Sequence, residues 1–286
     1  MKWILTCLFW ATSGALLFAD SKQIRDFWFA GAEINSYELS QSRYGESRPG
    51  HAELIFVTEP FLLEKQVKDE SGRGESTDVL KLNALTTFNT GIYSYRTMTS
   101  TFRPIEMERF PHALKSATSI QDWCGHAYQQ MNYRDGEWSS ELRSYFESFG
   151  DQDLTLGEAF LEDELWITLR LNPEEGLPIG KCAVIPGALF TRFHHQPISI
   201  QQAEGKLFRK NNQSIYVLSY SALGRSLSIT FDTDFPHIIR EWKEVTPKGT
   251  TTAVLKKRLM NSNYWSLNKP EDSKLREQLG LEPVAD

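Results

Sequence analysis

A chain of 286 residues, 40% apolar and 24% charged, has the composition of a folded globular protein and excludes a disordered one. Its length allows a sizeable core, in one large or two smaller domains. The formal charge of −6, more negative by one once a leader containing Lys2 is removed, argues against a non-specific nucleic-acid partner.

Lys2 precedes an apolar run from Trp3 to Ala19, broken only by Thr6, Thr12, Ser13 and Gly14 and ended by Asp20. This is the pattern of a secretory signal peptide cleaved near Ala19, which assigns residues 1–19 as leader and 20–286 as an exported β-rich region. The alternative is a retained N-terminal anchor, which would be the chain's membrane contact, although the run sits at the short edge for a span. Lipidation at Cys7 is disfavoured because it would leave Leu8 to Phe18 on the mature protein. A periplasmic or extracellular location is expected. Removal of Cys7 leaves Cys124 and Cys182, which an oxidising compartment permits to pair. A bridge would be worth on the order of 4 kcal/mol in the chain-entropy model; the alternative is two separate buried thiols.

Further along, residues 32–44 and 52–58 flank the turn-rich stretch 45–50 and predict a β-hairpin. Residues 68–76 are polar and glycine-containing, an exposed loop. Residues 79–88 and 92–102 predict a second hairpin around Asn89-Thr90-Gly91. The stretch 116–133 reads as a strand pair or as a strand bulged at Gly125, followed by a turn at Asp135-Gly136. In 139–149, Leu142, Tyr145, Phe146 and Phe149 share a helical face, yet the stretch can equally be drawn as a strand; 154–161 is ambiguous in the same way. Glu158, Glu162, Asp163 and Glu164 predict a locally acidic surface. Residues 165–171 have strand composition and stop at Asn172-Pro173. Short strands are expected at 188–195, 198–204, 214–223 and 225–232, the last alternating so that Leu227, Ile229 and Phe231 share a buried face. Strands at 238–245 and 250–255 follow, and 273–279 predicts a terminal helix ended by Gly280. The fold class is therefore all-β: a large antiparallel barrel-like or sandwich sheet with few short helices, either whole or in two β-rich halves divided near 150–180.

Reactive side chains concentrate in residues 119–133. Trp123-Cys124-Gly125-His126 shares the first half of a thioredoxin-type site, but the resolving cysteine that chemistry needs is Ala127 here. On one strand face, Asp122, Cys124 and His126 are candidates for an orienting carboxylate, a thiol nucleophile and a base. The structural alternative is a packed strand with Cys124 buried and Trp123 on the opposite face, so no catalytic residue is assigned. His194-His195 point to opposite faces of a strand, and His51, His112, His126 and His237 are scattered, so no metal site is assigned. No cofactor is expected either, since nucleotide loops and serine elbows are missing from the sequence. An acidic pair for glycoside hydrolysis, drawn from Glu158, Glu162, Asp163, Glu164, Glu174 and Glu175, stays a rival reading beside that of solvated charge runs. Aromatic residues make 12% of the chain and can fill a barrel core or line a pocket for an apolar ligand or sugar.

Several stretches occur together: Phe27-Trp28-Phe29-Ala30-Gly31, Arg43-Tyr44-Gly45-Glu46, Val57-Thr58-Glu59-Pro60-Phe61, Val79-Leu80-Lys81-Leu82-Asn83, Thr90-Gly91-Ile92-Tyr93-Ser94-Tyr95 and Trp123-Cys124-Gly125-His126. With them the chain resembles an uncharacterised family of exported bacterial β-rich proteins, some labelled "septum formation inhibitor Maf" by name transfer. True Maf proteins are cytoplasmic α/β nucleotide pyrophosphatases with a Ser-rich, Arg-containing loop near their start, which this chain lacks. Phe235-Pro236-His237 with Glu241-Trp242 also resembles periplasmic β-barrel domains of unknown activity. The resemblance implies an extracytoplasmic β-rich protein and carries over no catalytic residue. The functional expectation is a non-enzymatic envelope module whose β surface or cavity binds an apolar or cell-wall-derived ligand or an envelope protein. The rivals are an exported hydrolase using Cys124 and His126 or an acidic pair, and a structural envelope component.

Overall fold

The computed structural model describes residues 21–281; the predicted leader, with Lys2 and Cys7, lies outside the described residues. Helix α1 (Ser21–Trp28) leads into β1 (Ala32–Arg43) and β2 (Glu46–Leu62), followed by the two-residue β3 (Val67–Lys68). Then come β4 (Ser76–Thr90), β5 (Tyr93–Pro104), β6 (Lys115–Asp122), β7 (Gly125–Arg134), β8 (Glu137–Ser144) and β9 (Gln152–Leu156). The pattern breaks at β10 (Phe160–Leu161), a 3-10 turn over Glu162–Glu164, helix α2 (Leu165–Leu171), β11 (Gly180–Ile185) and helix α3 (Ala188–Phe193). Hairpins resume with β12 (Gln201–Lys210), β13 (Gln213–Tyr220), β14 (Arg225–Asp232), β15 (Ile239–Thr246) and β16 (Gly249–Ser262), and α4 (Leu275–Gln278) follows.

The strands form one 16-stranded sheet, running β10-β11-β12-β13-β14-β15-β16-β1-β2-β4-β5-β6-β7-β8-β9, with β3 paired to β2. Neighbours are antiparallel except β10 and β11. Strands β9 and β10 form opposite edges of the sheet, yet Gly157-Glu158-Ala159 alone links them. A link that short reaches only about 14 Å, so the edges meet and the sheet curls into a barrel-like form. Trp138 of β8 seals the meeting line: it is fully buried and its Nε1 donates to the Ala159 carbonyl at 2.9 Å. Met131, Leu142, Leu161 and Ile185 pack around it.

Local chemistry explains the hairpins. In the first turn, Tyr44 and Gly45 both have positive φ (57° and 77°) between the paired Arg43 and Glu46. That is the geometry whose twist matches the strands it joins. The turn is thus two residues long, and the predicted loop over 45–50 is corrected: Pro49 and Gly50 belong to β2, opposite Ser40 and Leu39. The second predicted hairpin is β4–β5, and the 116–133 stretch is the pair β6–β7 and not a bulged strand. Residues 139–149 resolve as strand up to Ser144, and 154–161 as β9 and β10.

Two predicted strands are helices. Residues 165–171 form α2 and 188–193 form α3, despite their β-branched and aromatic content. Both run inside the curl of the sheet, where α2 buries six of its seven residues. A strand there would leave its backbone groups without a neighbour; a helix satisfies them within the segment. The expected acidic surface is corrected too, since Glu162 and Glu164 are buried inside the barrel.

Three ion-pair clusters pin this interior segment. Glu33, fully buried, accepts from Arg170 Nη2 at 2.6 Å, Arg258 Nε at 3.1 Å and Trp28 Nε1 at 3.1 Å. Burial alone would raise its carboxyl, but Arg170 and Arg258 outweigh that and hold it at about 2, against 4.5 ordinarily. Glu162 receives both terminal nitrogens of Arg225 and the Tyr220 hydroxyl, while Arg225 Nε donates to Glu244 at 2.6 Å. Glu164 takes Arg103, the Ala113 backbone N–H and His112 Nδ1. Removing one partner of such a pair strands a buried charge. Arg103→Met is therefore expected to cost about 3–5 kcal/mol in urea denaturation, and adding Glu164→Leu to recover part of that loss.

Candidate functional site

One rim of the barrel is built from the turns after β1, β4, β6, β13 and β15. Beneath it α3 crosses the interior, and Phe193 packs edge-on against Phe88 and Tyr95, centroids 6.0 and 5.8 Å away. Arg43, the last residue of β1, lies over the rings of Tyr44 (4.4 Å) and Phe193 (4.8 Å) and donates to the Phe193 carbonyl at 2.7 Å. The Tyr44 and Tyr95 hydroxyls are 2.8 Å apart. An aromatic collar thus closes this end of the barrel.

Below the collar is an interior cavity of about 120 Å³. Leu54 and Leu82 from the sheet, Trp166 from α2, Phe190 from α3 and Trp242 from β15 form much of its apolar wall. Trp166 and Trp242 meet edge-to-face at 5.1 Å. Asp163 gives the cavity a polar pole. This residue is half-buried, and each of its carboxylate oxygens accepts the Ala188 N–H at 3.3 Å. Burial, then the neighbouring Glu162 charge, push its carboxyl from 3.8 up to about 7, and the Ala188 N–H, Arg225 and the Ser116 hydroxyl only partly offset this. Asp163 is therefore poised to exchange its proton near neutrality. His194, also in the wall, is lowered to about 4 by burial and then by Lys248, Arg225 and Arg43, so it is neutral at pH 7.

The sequence-derived candidates lie at the rim. Asp122 ends β6, Cys124 is in the turn and His126 is in β7 opposite Gln121. They are brought together at one hairpin tip, not along one strand face. Asp122 Oδ1 accepts the backbone N–H groups of Cys124 at 2.6 Å and Gly125 at 3.3 Å, a carboxylate stabilising its own turn. Cys124 is exposed and Trp123 is 70% exposed, which corrects the expectation of a packed strand. Cys124 and Cys182 are separate free thiols; Cys182 sits on β11, with its Sγ 3.6 Å from the Ala203 carbonyl oxygen, and burial raises its thiol. His194 and His195 follow α3 and stack on Phe190 (4.8 Å) and Phe149 (5.3 Å). Sequence reasoning read Glu162, Asp163 and Glu164 as surface acids and missed Arg43, Arg192 and the Trp166–Trp242 pair. The available signal for buried charge was Arg170 standing alone in an apolar run, whose partner is Glu33.

No family model matches the chain, and no curated protein matches it. Among solved structures it is similar to the crystal structure of a β-barrel-like protein of domain of unknown function DUF1849 from Brucella abortus, with a TM-score of 0.52 and 8% identity. The match covers 80% of this chain and 98% of that one. At that identity the likeness shows the fold alone: a β-barrel-like protein made from one large, mostly antiparallel sheet.

The Asp163 carboxyl has a consequence for stability. Its proton is bound more tightly in the folded than in the unfolded chain, so its contribution is fully present below about pH 4 and is lost as pH rises through about 7. Asp163→Asn is expected to remove that slope, measured as the difference in melting temperature between wild type and variant from pH 4 to 8.

Proposed function

We propose that this protein is an exported cell-envelope module that binds a small apolar or amphipathic molecule, of lipid or cell-wall origin, inside its barrel. The observation that carries the reading is the cavity of about 120 Å³ walled by leucine, phenylalanine and two tryptophans. Protein interiors pack to crystal density, and an apolar cavity of about 150 Å³ takes a benzene-sized guest. The space therefore suits one ring or a few methylenes. Asp163 offers a hydrogen-bonding pole at the apolar wall, the arrangement by which small-molecule sites orient a guest. Lys2 and the apolar run to Ala19 support export. A hydrolase built on Asp122, Cys124 and His126 has less support, because Asp122 Oδ1 is engaged by backbone N–H groups of its own turn.

Bromobenzene is a suitable probe because its heavy atom quenches tryptophan, and Trp166 and Trp242 line the cavity. Titration should give saturable quenching that Ala84→Phe, which fills the cavity from β4, abolishes without lowering the melting temperature. Linear, non-saturating quenching of the wild type, or saturation unchanged in Ala84→Phe, would overturn the reading. Export is checked separately: cell fractionation should recover the protein outside the cytoplasm with a mature N-terminus at Asp20.

A further inference from the structure

A second cavity, of about 150 Å³, lies against the rim and shares Phe193 with the interior one as a common wall. Tyr95, Phe146 and Phe149 supply much of its apolar lining, and Arg43, Arg192 and Asp122 its charges. Arg192 is the unusual member. It is 7% exposed, its Nη2 donates to the Gln196 carbonyl at 3.1 Å, and its Nε and Nη1 are buried with no hydrogen-bond partner. Its guanidinium lies 4.1 Å from the centroid of the Phe149 ring. Burial lowers it to about 10, so it is still cationic at neutral pH.

The contrast with the other buried arginines is chemical. Arg103, Arg170 and Arg225 each meet a carboxylate, which offsets the cost of taking a guanidinium out of water. Among the described residues Arg192 meets none. Cation–π contact with Phe149 is worth about 0.5–2 kcal/mol, less than the several kcal/mol that desolvation of an ion costs. Arg43 adds a second cation whose Nε is likewise buried and unpartnered, and its terminal nitrogens go to the Phe193 carbonyl and the Tyr95 hydroxyl. Asp122 returns one negative charge from the turn. Two guanidiniums and one carboxylate leave a surplus of one positive charge in an aromatic-walled space.

We propose that this second cavity binds an amphipathic monocarboxylate, its carboxylate on Arg192 with Arg43 beside it and its ring or short alkyl body among Phe146, Phe149 and Tyr95. A monoanion neutralises the surplus charge and gives the Arg192 guanidinium, which lines the cavity, the carboxylate partner that Arg103, Arg170 and Arg225 have. A dianion would overshoot that balance against Asp122, and a neutral guest would leave the guanidinium unpaired. The site is separate from the interior cavity and stands whether or not that cavity takes a guest.

Isothermal titration of the full mature chain with benzoate, benzyl alcohol and inorganic phosphate tests it. Benzoate should bind saturably and about ten- to hundredfold more tightly than benzyl alcohol, as expected for a hydrogen bond to a charged group, with phosphate weaker than benzoate. Arg192→Gln should remove that preference, and Ala127→Leu, which fills the cavity from β7, should weaken benzoate even if the arginine variant fails to fold. Ala84→Phe should leave benzoate binding unchanged, which separates this site from the interior one. Equal binding of benzoate and benzyl alcohol, phosphate binding as tightly as benzoate, benzoate binding unaffected by Arg192→Gln or Ala127→Leu, or its loss in Ala84→Phe would each overturn the proposal.

Discussion

The fold depends on guanidinium–carboxylate pairing inside the barrel. A sheet of this size curls around more space than its own inward side chains fill, and the chain occupies that space with residues 160–171, including three consecutive acids. Those acids are tolerable in the interior because Arg225 and Arg103 reach in from β14 and β5 to Glu162 and Glu164, while Arg170 reaches out from α2 to Glu33 on β1. Each pair ties the inner segment to a different strand.

Closure of the sheet follows from the same segment. Because the short link after β9 delivers the chain straight to β10 on the far edge, the inner segment enters where the two edges meet, and Trp138 and its neighbours seal that line. An open sheet would expose its two edges to pairing with other chains; here they face each other across packed side chains. The interior helices also set the cavities. Trp166 and Phe190 wall the small apolar space beneath the collar, and Phe193 divides it from the charged space beside the rim.

Charge sorts the two spaces. Around the inner one, burial and then the neighbouring Glu162 charge make Asp163 hold its proton to near neutrality. Beside the rim the excess is positive, with Arg43 and Arg192 against Asp122. The two sites therefore differ in chemistry although one phenylalanine divides them.

Much of the fold was legible in the sequence because β-hairpins are local. Alternation in 226–232 placed Leu227, Ile229 and Phe231 inside, where the structure has them, and glycine-containing turns located most hairpins. Where the local signal was weak, as at Tyr44-Gly45, the boundary moved by a few residues. The candidate site was hardly legible. Asp122, Cys124 and His126 were conspicuous by composition, yet they gather at a hairpin tip whose turn the Asp122 carboxylate stabilises; Asp163 read as a surface acid, and nothing in the sequence singled out Arg192. The sequence by itself determined an all-β, antiparallel class, barrel-like or sandwich, since the period of two and the turn residues are properties of neighbouring positions. Only the tertiary structure decided that 165–171 and 188–193 are helices, which acids are buried, and that Arg192 is buried without a carboxylate partner among the described residues. Those outcomes depend on what surrounds each backbone and each charge, and the surroundings come from strands far away in the chain.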